Sequence, residues 1–243
     1  MQSWGLTDPG CVRKQNQDAY RIEQLDRSTL LCVVCDGMGG AKSGNVASSL
    51  AVEVFVEEIR RCWKPGMDSE RIDQMLRSAV KLANFTVYDQ AVQFEEFSGM
   101  GTTLVAALVR EDMATLVNVG DSRVYGINRS GICLLTKDHS LVQMMVDRGD
   151  LTPEVAKNYP GKNLITRAIG TEPLVMCDIF HKEVSRGDYL LLCTDGLSNV
   201  MDDQEILFEV VHGVDKQHCC RRLLDIAKNR GAPDNVTSIL VLI

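Results

Sequence analysis

Runs of apolar residues alternate along the chain with stretches whose apolar positions recur at helical spacing. The runs at 30–35, 102–110, 113–119, 188–194 and 236–243 predict buried strands. Shorter alternating segments predict further strands at 122–128, 132–135 and 174–183. Apolar stripes predict helices at 43–62, 69–93, 140–148, 202–212 and 216–229, and the polar segment 149–164 is expected to be irregular.

The order of these elements favours hairpins over regular strand–helix alternation. Two short polar connections, Glu111-Asp112 and Arg129-Ser130-Gly131, join neighbouring strands directly. Long helices between groups of strands then suggest antiparallel sheets covered by helices, which is an α+β arrangement. No repeat or low-complexity linker interrupts the pattern. The first and the last predicted strand both carry aspartates of the kind that bind metals, so these strands must meet, and we expect one domain spanning residues 1–243.

Composition narrows the class of protein. The 243 residues are 45% hydrophobic and 24% charged, with a formal net charge of -7, which argues against a nucleic-acid binder. No window reaches the roughly 18 apolar residues of a membrane span. The start of the chain lacks a secretory signal, so we expect a cytoplasmic protein whose nine cysteines are reduced thiols. Cys32 and Cys35 form a CxxC inside an apolar run, which favours core cysteines over a zinc or redox site.

Four aspartates stand where an apolar run ends and a turn begins. They are Asp36, Asp121, Asp195 and Asp234. One strand-end aspartate is ordinary turn chemistry, because its carboxylate hydrogen-bonds the local backbone. Four on sheet-forming segments are typical of a convergent set of hard oxygen ligands for Mg²⁺ or Mn²⁺.

The segment from Gly37 to Ser43 is rich in glycine but does not fit a nucleotide-binding loop. The glycine spacing of a P-loop is missing, and the carboxylate of Asp36 would repel a phosphate. A tight turn with an exposed carbonyl ligand remains. Arg13 is either a phosphate-binding arginine or a solvated surface residue. The histidines show no ligand spacing, and no Ser-His-Asp triad or Cys-x5-Arg loop is present.

Eight segments in order resemble the motifs of metal-dependent protein phosphatases of the 2C type, specifically the short bacterial serine/threonine phosphatases. The match covers residues 12 to 241. The segments are VRKQNQD at 12–18, VVCDGMGG at 33–40, GMGTTL at 99–104, VGDSRVY at 119–125, TKDHSLV at 136–142, ITRAIG at 165–170, LLCTDGL at 191–197 and PDNVTSILV at 233–241.

The resemblance implies a four-layer α-β-β-α sandwich of two antiparallel sheets flanked by helix pairs, with metals in a cleft at one edge. Asp36 would bridge two ions, Mn²⁺ or Mg²⁺, and the Gly37 carbonyl would ligate the second. Asp195 and Asp234 would complete the first ion, and Asp121 with Asp195 would form a third site.

The same resemblance assigns roles to residues around the metals. Arg13 would hold the substrate phosphate as part of the catalytic set, and Asp18 would anchor metal-bound water. A water between the ions would attack phosphorus in line, without a covalent phosphoenzyme. Position 17 is Gln where many members have Glu, and position 38 is Met where some carry a proposed general-acid histidine. His139 is an alternative acid, but a structural histidine is the preferred interpretation.

The implied activity is hydrolysis of phosphoserine and phosphothreonine in phosphorylated proteins, opposing a bacterial serine/threonine kinase, by a monomer. A catalytically dead phosphoprotein-binding scaffold is disfavoured because every expected aspartate is present. A hydrolase of small phosphorylated metabolites stays open. The segment 149–163 is expected to act as a flap that selects protein substrates, with a plain connector as the alternative.

Overall fold

A computed structural model describes residues 1–156, 159–161 and 163–243, apart from the side chains at positions 40–42. Its strands are β1 (Gln2–Asp8), β2 (Asp18–Gln24), β3 (Thr29–Met38), β4 (Gly101–Thr102), β5 (Leu104–Arg110), β6 (Met113–Val119), β7 (Arg123–Asn128), β8 (Gly131–Leu134), β9 (Asp178–Glu183), β10 (Tyr189–Cys193) and β11 (Val236–Leu242). Its helices are α1 (Gly40–Cys62), α2 (Ser69–Gln93), α3 (Leu141–Arg148), α4 (Pro153–Ala156), α5 (Asp195–Ser198), α6 (Asp203–His212) and α7 (Cys219–Asn229).

The strands in the described residues form two antiparallel sheets. One has the order β1-β11-β10-β7-β8, and the other has the order β2-β3-β5-β6-β9, with β4 paired to β3. Strand β11, near the end of the chain, lies between β1 and β10. In the second sheet the register places Asp18 of β2 directly opposite Asp36 of β3.

Three apolar clusters separate four layers. The first joins α1 and α2 to the outer face of the β2-to-β9 sheet, and the second joins α5, α6 and α7 to the outer face of the other sheet. The third lies between the sheets. Successive residues of β3 alternate between clusters, since Leu31 and Val33 face the helices whereas Cys32 and Val34 face the other sheet. The predicted α-β-β-α sandwich is therefore confirmed.

Side-chain caps mark where three helices begin. Asp68 accepts a hydrogen bond from the Arg71 amide ahead of α2, at 2.8 Å. Ser140 does the same for α3. Asp202 and Glu205 form a reciprocal capping box at α6, which satisfies two amides that the helix itself leaves unbonded.

The predicted elements are recovered with shifted ends. The predicted strand 30–35 extends to Met38, and the strand predicted at 174–183 begins only at Asp178. Strands β1 and β2 and the single-turn helix α5 were not predicted. The segment predicted to be irregular contains the one-turn helix α4, and within the proposed flap Lys157, Asn158 and Lys162 lie outside the described residues.

None of the helices in the described part of the chain is both long and apolar enough to cross a membrane.

Candidate active site

The four strand-end aspartates converge at one edge of the two sheets. Asp36 lies near the end of β3, and Asp195 begins α5 directly after β10. Asp234 precedes β11, which pairs with β10 in a register that sets Cys193 opposite Ser238. Asp121 follows β6. The charges of Asp121, Asp195 and Asp234 all act on the buried carboxyl of Asp36.

This crowding of carboxylates raises their pKa values. Burial, together with Asp18 and Asp195, raises the pKa of Asp36 well above its ordinary value. Burial and the charge of Asp195 raise the pKa of Asp121 to about 7. Burial also raises the pKa of Asp195, with a further contribution from Asp234. Buried like charges that raise one another's pKa are what a bound cation would neutralise.

Two threonine hydroxyls hold one oxygen of the Asp18 carboxylate. The hydroxyl of Thr237 donates to Oδ2 at 2.6 Å, and the hydroxyl of Thr194 donates to the same oxygen at 3.0 Å. Burial raises the pKa of Asp18 to about 7, although both hydrogen bonds act to lower it. The other oxygen, Oδ1, is buried and has no hydrogen-bond partner among the described residues. Asp18 thus has one anchored oxygen and one oxygen available to a further donor.

Asp195 shows the same asymmetry. Its Oδ2 accepts a hydrogen bond from the side-chain Nδ2 of Asn199 at 3.0 Å, while its Oδ1 is buried and has no hydrogen-bond partner in the described part of the chain. The neighbouring Asp36 partly offsets the rise in the pKa of Asp195. The charge of Asp195 in turn raises the pKa of Asp36, and a bound cation would neutralise this repulsion between the two carboxylates.

The donor set fits a hard divalent cation in its chemistry, since its side chains are carboxylates, and within the described residues Asp195 and the neighbouring Asp18 each have one buried oxygen without a hydrogen-bond partner. Within the described residues, no group of three or more His, Cys, Asp or Glu side chains forms a complete ligand set. Water and backbone carbonyls commonly complete the shell of a hard cation.

Two threonines and two glycines fix the backbone around Asp36. The hydroxyl of Thr103 accepts from the Asp36 amide at 2.9 Å, and the hydroxyl of Thr102 donates to the Asp36 carbonyl at 2.8 Å. A Cβ at Gly37 would lie 2.0 Å from the carbonyl oxygen of Gly44, and a Cβ at Gly44 would lie 2.8 Å from that of Gly37. Helix α1 can approach the strand end this closely because neither position has a side chain.

Arg13 reaches the carboxylate cluster from an exposed loop. Its Nη2 donates to Oδ2 of Asp234 at 2.9 Å, and its side chain is 54% exposed. This hydrogen bond raises the pKa of the guanidinium, and the charges of Asp36 and Asp195 add to the effect. Arg13 is therefore a solvent-accessible cation at the rim of the site.

His139 has the contacts of a structural histidine, which is the interpretation that the sequence favours. Its Nδ1 accepts a hydrogen bond from the Gly120 amide at 3.1 Å, so the proton of the neutral ring lies on Nε2. That nitrogen is 3.2 Å from Oδ2 of Asp178 and also lies beside Arg167. Burial lowers the pKa of His139. The ring joins the segment before Asp121 to strand β9.

The cysteines near the site belong to the core. Burial raises the pKa of the Cys193 thiol to about 12 and raises the pKa values of Cys32 and Cys35 further still. Thiols of this kind are poor nucleophiles. The prediction that most cysteines are core residues is confirmed by the buried Cys32, Cys35, Cys177, Cys193, Cys219 and Cys220.

Three residues that support the site were not predicted from the sequence. Thr194 and Thr237 anchor Asp18, and Asn235 contacts the loop that carries Arg13. Each stands within three positions of Asp195 or Asp234 in the sequence. That proximity is the signal that could have found them.

Comparison with known proteins assigns the chain to a family. The family model described as protein phosphatase 2C matches residues 12–226, a range that ends before Asp234. The serine/threonine phosphatase stp of Listeria monocytogenes is 34% identical over 238 residues, covering 97% of this chain and 93% of that protein. The protein phosphatase PhpP of Streptococcus pneumoniae is 34% identical over 242 residues, covering 97% of this chain and 95% of that protein.

A solved structure agrees with these relatives. The serine/threonine phosphatase Stp1 from Staphylococcus aureus superimposes with a TM-score of 0.93 at 38% identity, covering 100% of this chain and 94% of that chain. The four layers and the acidic edge thus define a metal-dependent phosphoprotein phosphatase. The chain belongs to the protein phosphatase 2C family.

Proposed function

We propose that the chain hydrolyses phosphoserine and phosphothreonine in proteins with a water that two metal ions activate. The observation that carries this proposal is the convergence of Asp121, Asp195 and Asp234 on the buried carboxyl of Asp36. Without cations, repulsion between these carboxylates destabilises the folded protein. The same negative charge would hold the metal ions that activate a water for phosphate hydrolysis. The similar proteins from Listeria and Staphylococcus carry serine/threonine phosphatase in their names, which supports the choice of substrate.

The ions would be Mn²⁺ or Mg²⁺, because every proposed ligand is an oxygen. Asp36 and the Gly37 carbonyl, with Asp195 and Asp234, would hold two of them. Asp121 and Asp195 would hold a third. When bound, such ions supply a water of lowered pKa and neutralise charge on the phosphoryl oxygens.

The protein's own residues position the reactants. The Arg13 guanidinium presents a planar pair of donors that can bind two phosphate oxygens at the rim. Asp18 has its Oδ2 fixed by two threonines, so its buried Oδ1 is held in place and can orient a water by accepting a hydrogen bond from it. Asp18 therefore depends on the rigid backbone at the start of β2, and Arg13 depends on the loop between β1 and β2.

We further propose that residues 1–243 act as one monomeric catalytic domain in the cytoplasm, opposing a serine/threonine kinase. Residues 149–163 would select among phosphoprotein substrates. Met144, Val155 and Leu164, in and beside this segment, are exposed apolar side chains and could contact a protein surface. The polar composition of the rest of the segment suits a recognition loop.

Hydrolysis of paired peptides tests the proposal. Metal-free protein is assayed with a phosphothreonine peptide and a phosphotyrosine peptide of the same sequence, before and after addition of Mn²⁺. We expect turnover of the phosphothreonine peptide only with Mn²⁺, and a strong preference for it. Asp112→Asn, in the turn between β5 and β6, serves as the control and should match the parent. Full activity in the metal-free protein would overturn the metal mechanism, and equal turnover of both peptides would overturn the substrate assignment.

A further inference from the structure

The side chain of Asn235 ties the loop that carries Arg13 to the start of β11. It is 3% exposed, and its Nδ2 donates to the carbonyls of Pro9 at 2.9 Å and Gln15 at 3.0 Å. Its Oδ1 accepts a hydrogen bond from the Gln17 amide at 2.8 Å. These contacts fall on both sides of Arg13 in the chain, so one side chain holds both arms of the loop.

The side chain of asparagine matches all three contacts. The two carbonyls need donors and the amide needs an acceptor, and a side-chain amide offers both from one planar group. Aspartate would keep the acceptor but set a carboxylate oxygen against two carbonyls. Alanine would leave buried backbone groups unbonded, a state that proteins rarely tolerate.

The loop needs this support because the Arg13 side chain does little to fix the loop backbone. Its long side chain is half exposed and reaches the cluster through Asp234. Another contact, from the Cys11 amide to the Ala232 carbonyl at 3.0 Å, ties the near arm to the same turn before β11. The position of the guanidinium therefore depends on where the loop backbone is held.

We propose that Asn235 is a positioning residue for the substrate phosphate, acting through Arg13. This inference rests on the role of Arg13 in the proposed function and extends it to a residue that touches neither phosphate nor metal. Asn235 contacts the proposed metal ligand Asp234 through its backbone, because the Asn235 backbone amide donates to Oδ1 of Asp234 at 2.9 Å. A change of the Asn235 side chain therefore keeps this contact. Its loss should affect phosphate binding and spare metal binding.

The test is a double-mutant cycle on Asn235→Ala, Arg13→Ala and the double variant. The Mn²⁺-loaded enzymes are compared by KM for p-nitrophenyl phosphate and by Ki for inorganic phosphate, and the metal-free proteins are compared by calorimetric Kd for Mn²⁺. Each single change should raise KM and Ki by about 10- to 100-fold, the size expected when a charge-assisted hydrogen bond to the phosphate is lost or misaligned. In the Arg13→Ala background, Asn235→Ala should add almost nothing. The Kd for Mn²⁺ should stay within about twofold.

Asn84 provides a matched control. It is 1% exposed and holds another loop in the same way, through donation to the carbonyls of Glu172 at 3.0 Å and Pro173 at 3.2 Å and acceptance from the Gly170 amide at 2.8 Å. Asn84→Ala should therefore lower the melting temperature but leave Ki for phosphate unchanged. This separates loss of a buried asparagine in general from loss of the one beside Arg13.

Several results would overturn the inference, and they differ from failure of the proposed function. Effects of Asn235→Ala and Arg13→Ala that multiply, or a parallel loss of Mn²⁺ affinity, would show that Asn235 acts elsewhere. An unchanged Ki in Asn235→Ala with a raised Ki in Arg13→Ala refutes the inference alone. An unchanged Ki in Arg13→Ala refutes the role of Arg13 as well. If Asn235→Ala does not fold, the uncharged Asn235→Ser is used, because its hydroxyl can satisfy one of the backbone groups, and it should raise Ki without weakening Mn²⁺ binding.

Discussion

Replacing Asp121 by asparagine should stabilise the metal-free protein. Burial and the neighbouring Asp195 raise the pKa of this carboxyl from 3.8 to about 7. An acid whose pKa is raised in the folded state destabilises that state once pH exceeds the unfolded value. The cost grows from about pH 4 and is complete above about pH 7. Asparagine has nearly the same shape and carries no charge.

The pKa of Asp121 sets the size of the effect. Each pKa unit corresponds to about 1.4 kcal/mol, so the ceiling is about 4 kcal/mol at pH 8. Asp121 is partly exposed, and solvent and local relaxation reduce this value, so we expect a gain of about 2 kcal/mol. For a chain of this length, that gain raises Tm by about 4–8 °C.

The assay is thermal unfolding in a chelating buffer at pH 8 and pH 5.5, with Asp112→Asn as the exposed-turn control. Asp121→Asn should raise Tm at pH 8, raise it less at pH 5.5, and lose its advantage in saturating Mn²⁺, because a bound cation removes the repulsion. Asp112→Asn should change Tm by less than about 2 °C under every condition. A lower Tm for metal-free Asp121→Asn at pH 8 would refute the reasoning, because the carboxylate would then be stabilised by contacts and not strained by its neighbours.

Three further predictions follow from the contacts around the site. Thr237→Val removes a hydrogen bond that lowers the pKa of Asp18, so the acid limb of the pH–rate profile should move to higher pH. Thr237→Ser keeps the hydroxyl and should leave the acid limb where the parent has it. An acid limb that does not move in Thr237→Val would contradict the anchoring role. Cys193→Ser should keep turnover within a few-fold of the parent under mild conditions. Complete loss of turnover in a folded, metal-loaded variant would indicate that the thiol takes part in the reaction. Glu154→Ala and Tyr159→Ala should change the rate on phosphoproteins while leaving p-nitrophenyl phosphate hydrolysis within a few-fold. Equal losses on both substrates would mean that the flap supports the metal centre.

The strands that sequence patterns predict best are those with both faces buried. In β3, β10 and β11 successive residues alternate between a helix-facing cluster and the cluster between the sheets, so the strands appear as unbroken apolar runs. Strands β1 and β2 lie at sheet edges, and most of their residues are only half-buried. Their alternation is short, with Trp4 and Leu6 in β1 and Tyr20 and Ile22 in β2 packed on these clusters. Pairing with distant β11 and β3 decides their structure.

The same contrast holds for the site. Asp36, Asp195 and Asp234 could be identified as candidate ligands because each follows or precedes a recognisable strand. The role of Asp18 came from family resemblance alone, since its anchors Thr194 and Thr237 are 176 and 219 positions away in the chain. Contacts at that separation depend on how the two sheets pack, which local pattern does not encode.

We propose that the carboxylate cluster around Asp36 binds divalent cations. Calorimetric titration of the metal-free protein with Mn²⁺ tests it directly, with Asp36→Asn and the turn variant Asp112→Asn titrated in parallel. We expect the parent and Asp112→Asn to bind Mn²⁺ alike, and Asp36→Asn to bind at least about tenfold more weakly, because losing a ligand charge costs more than about 1.4 kcal/mol. Equal Mn²⁺ affinity in the parent and in Asp36→Asn would contradict the claim.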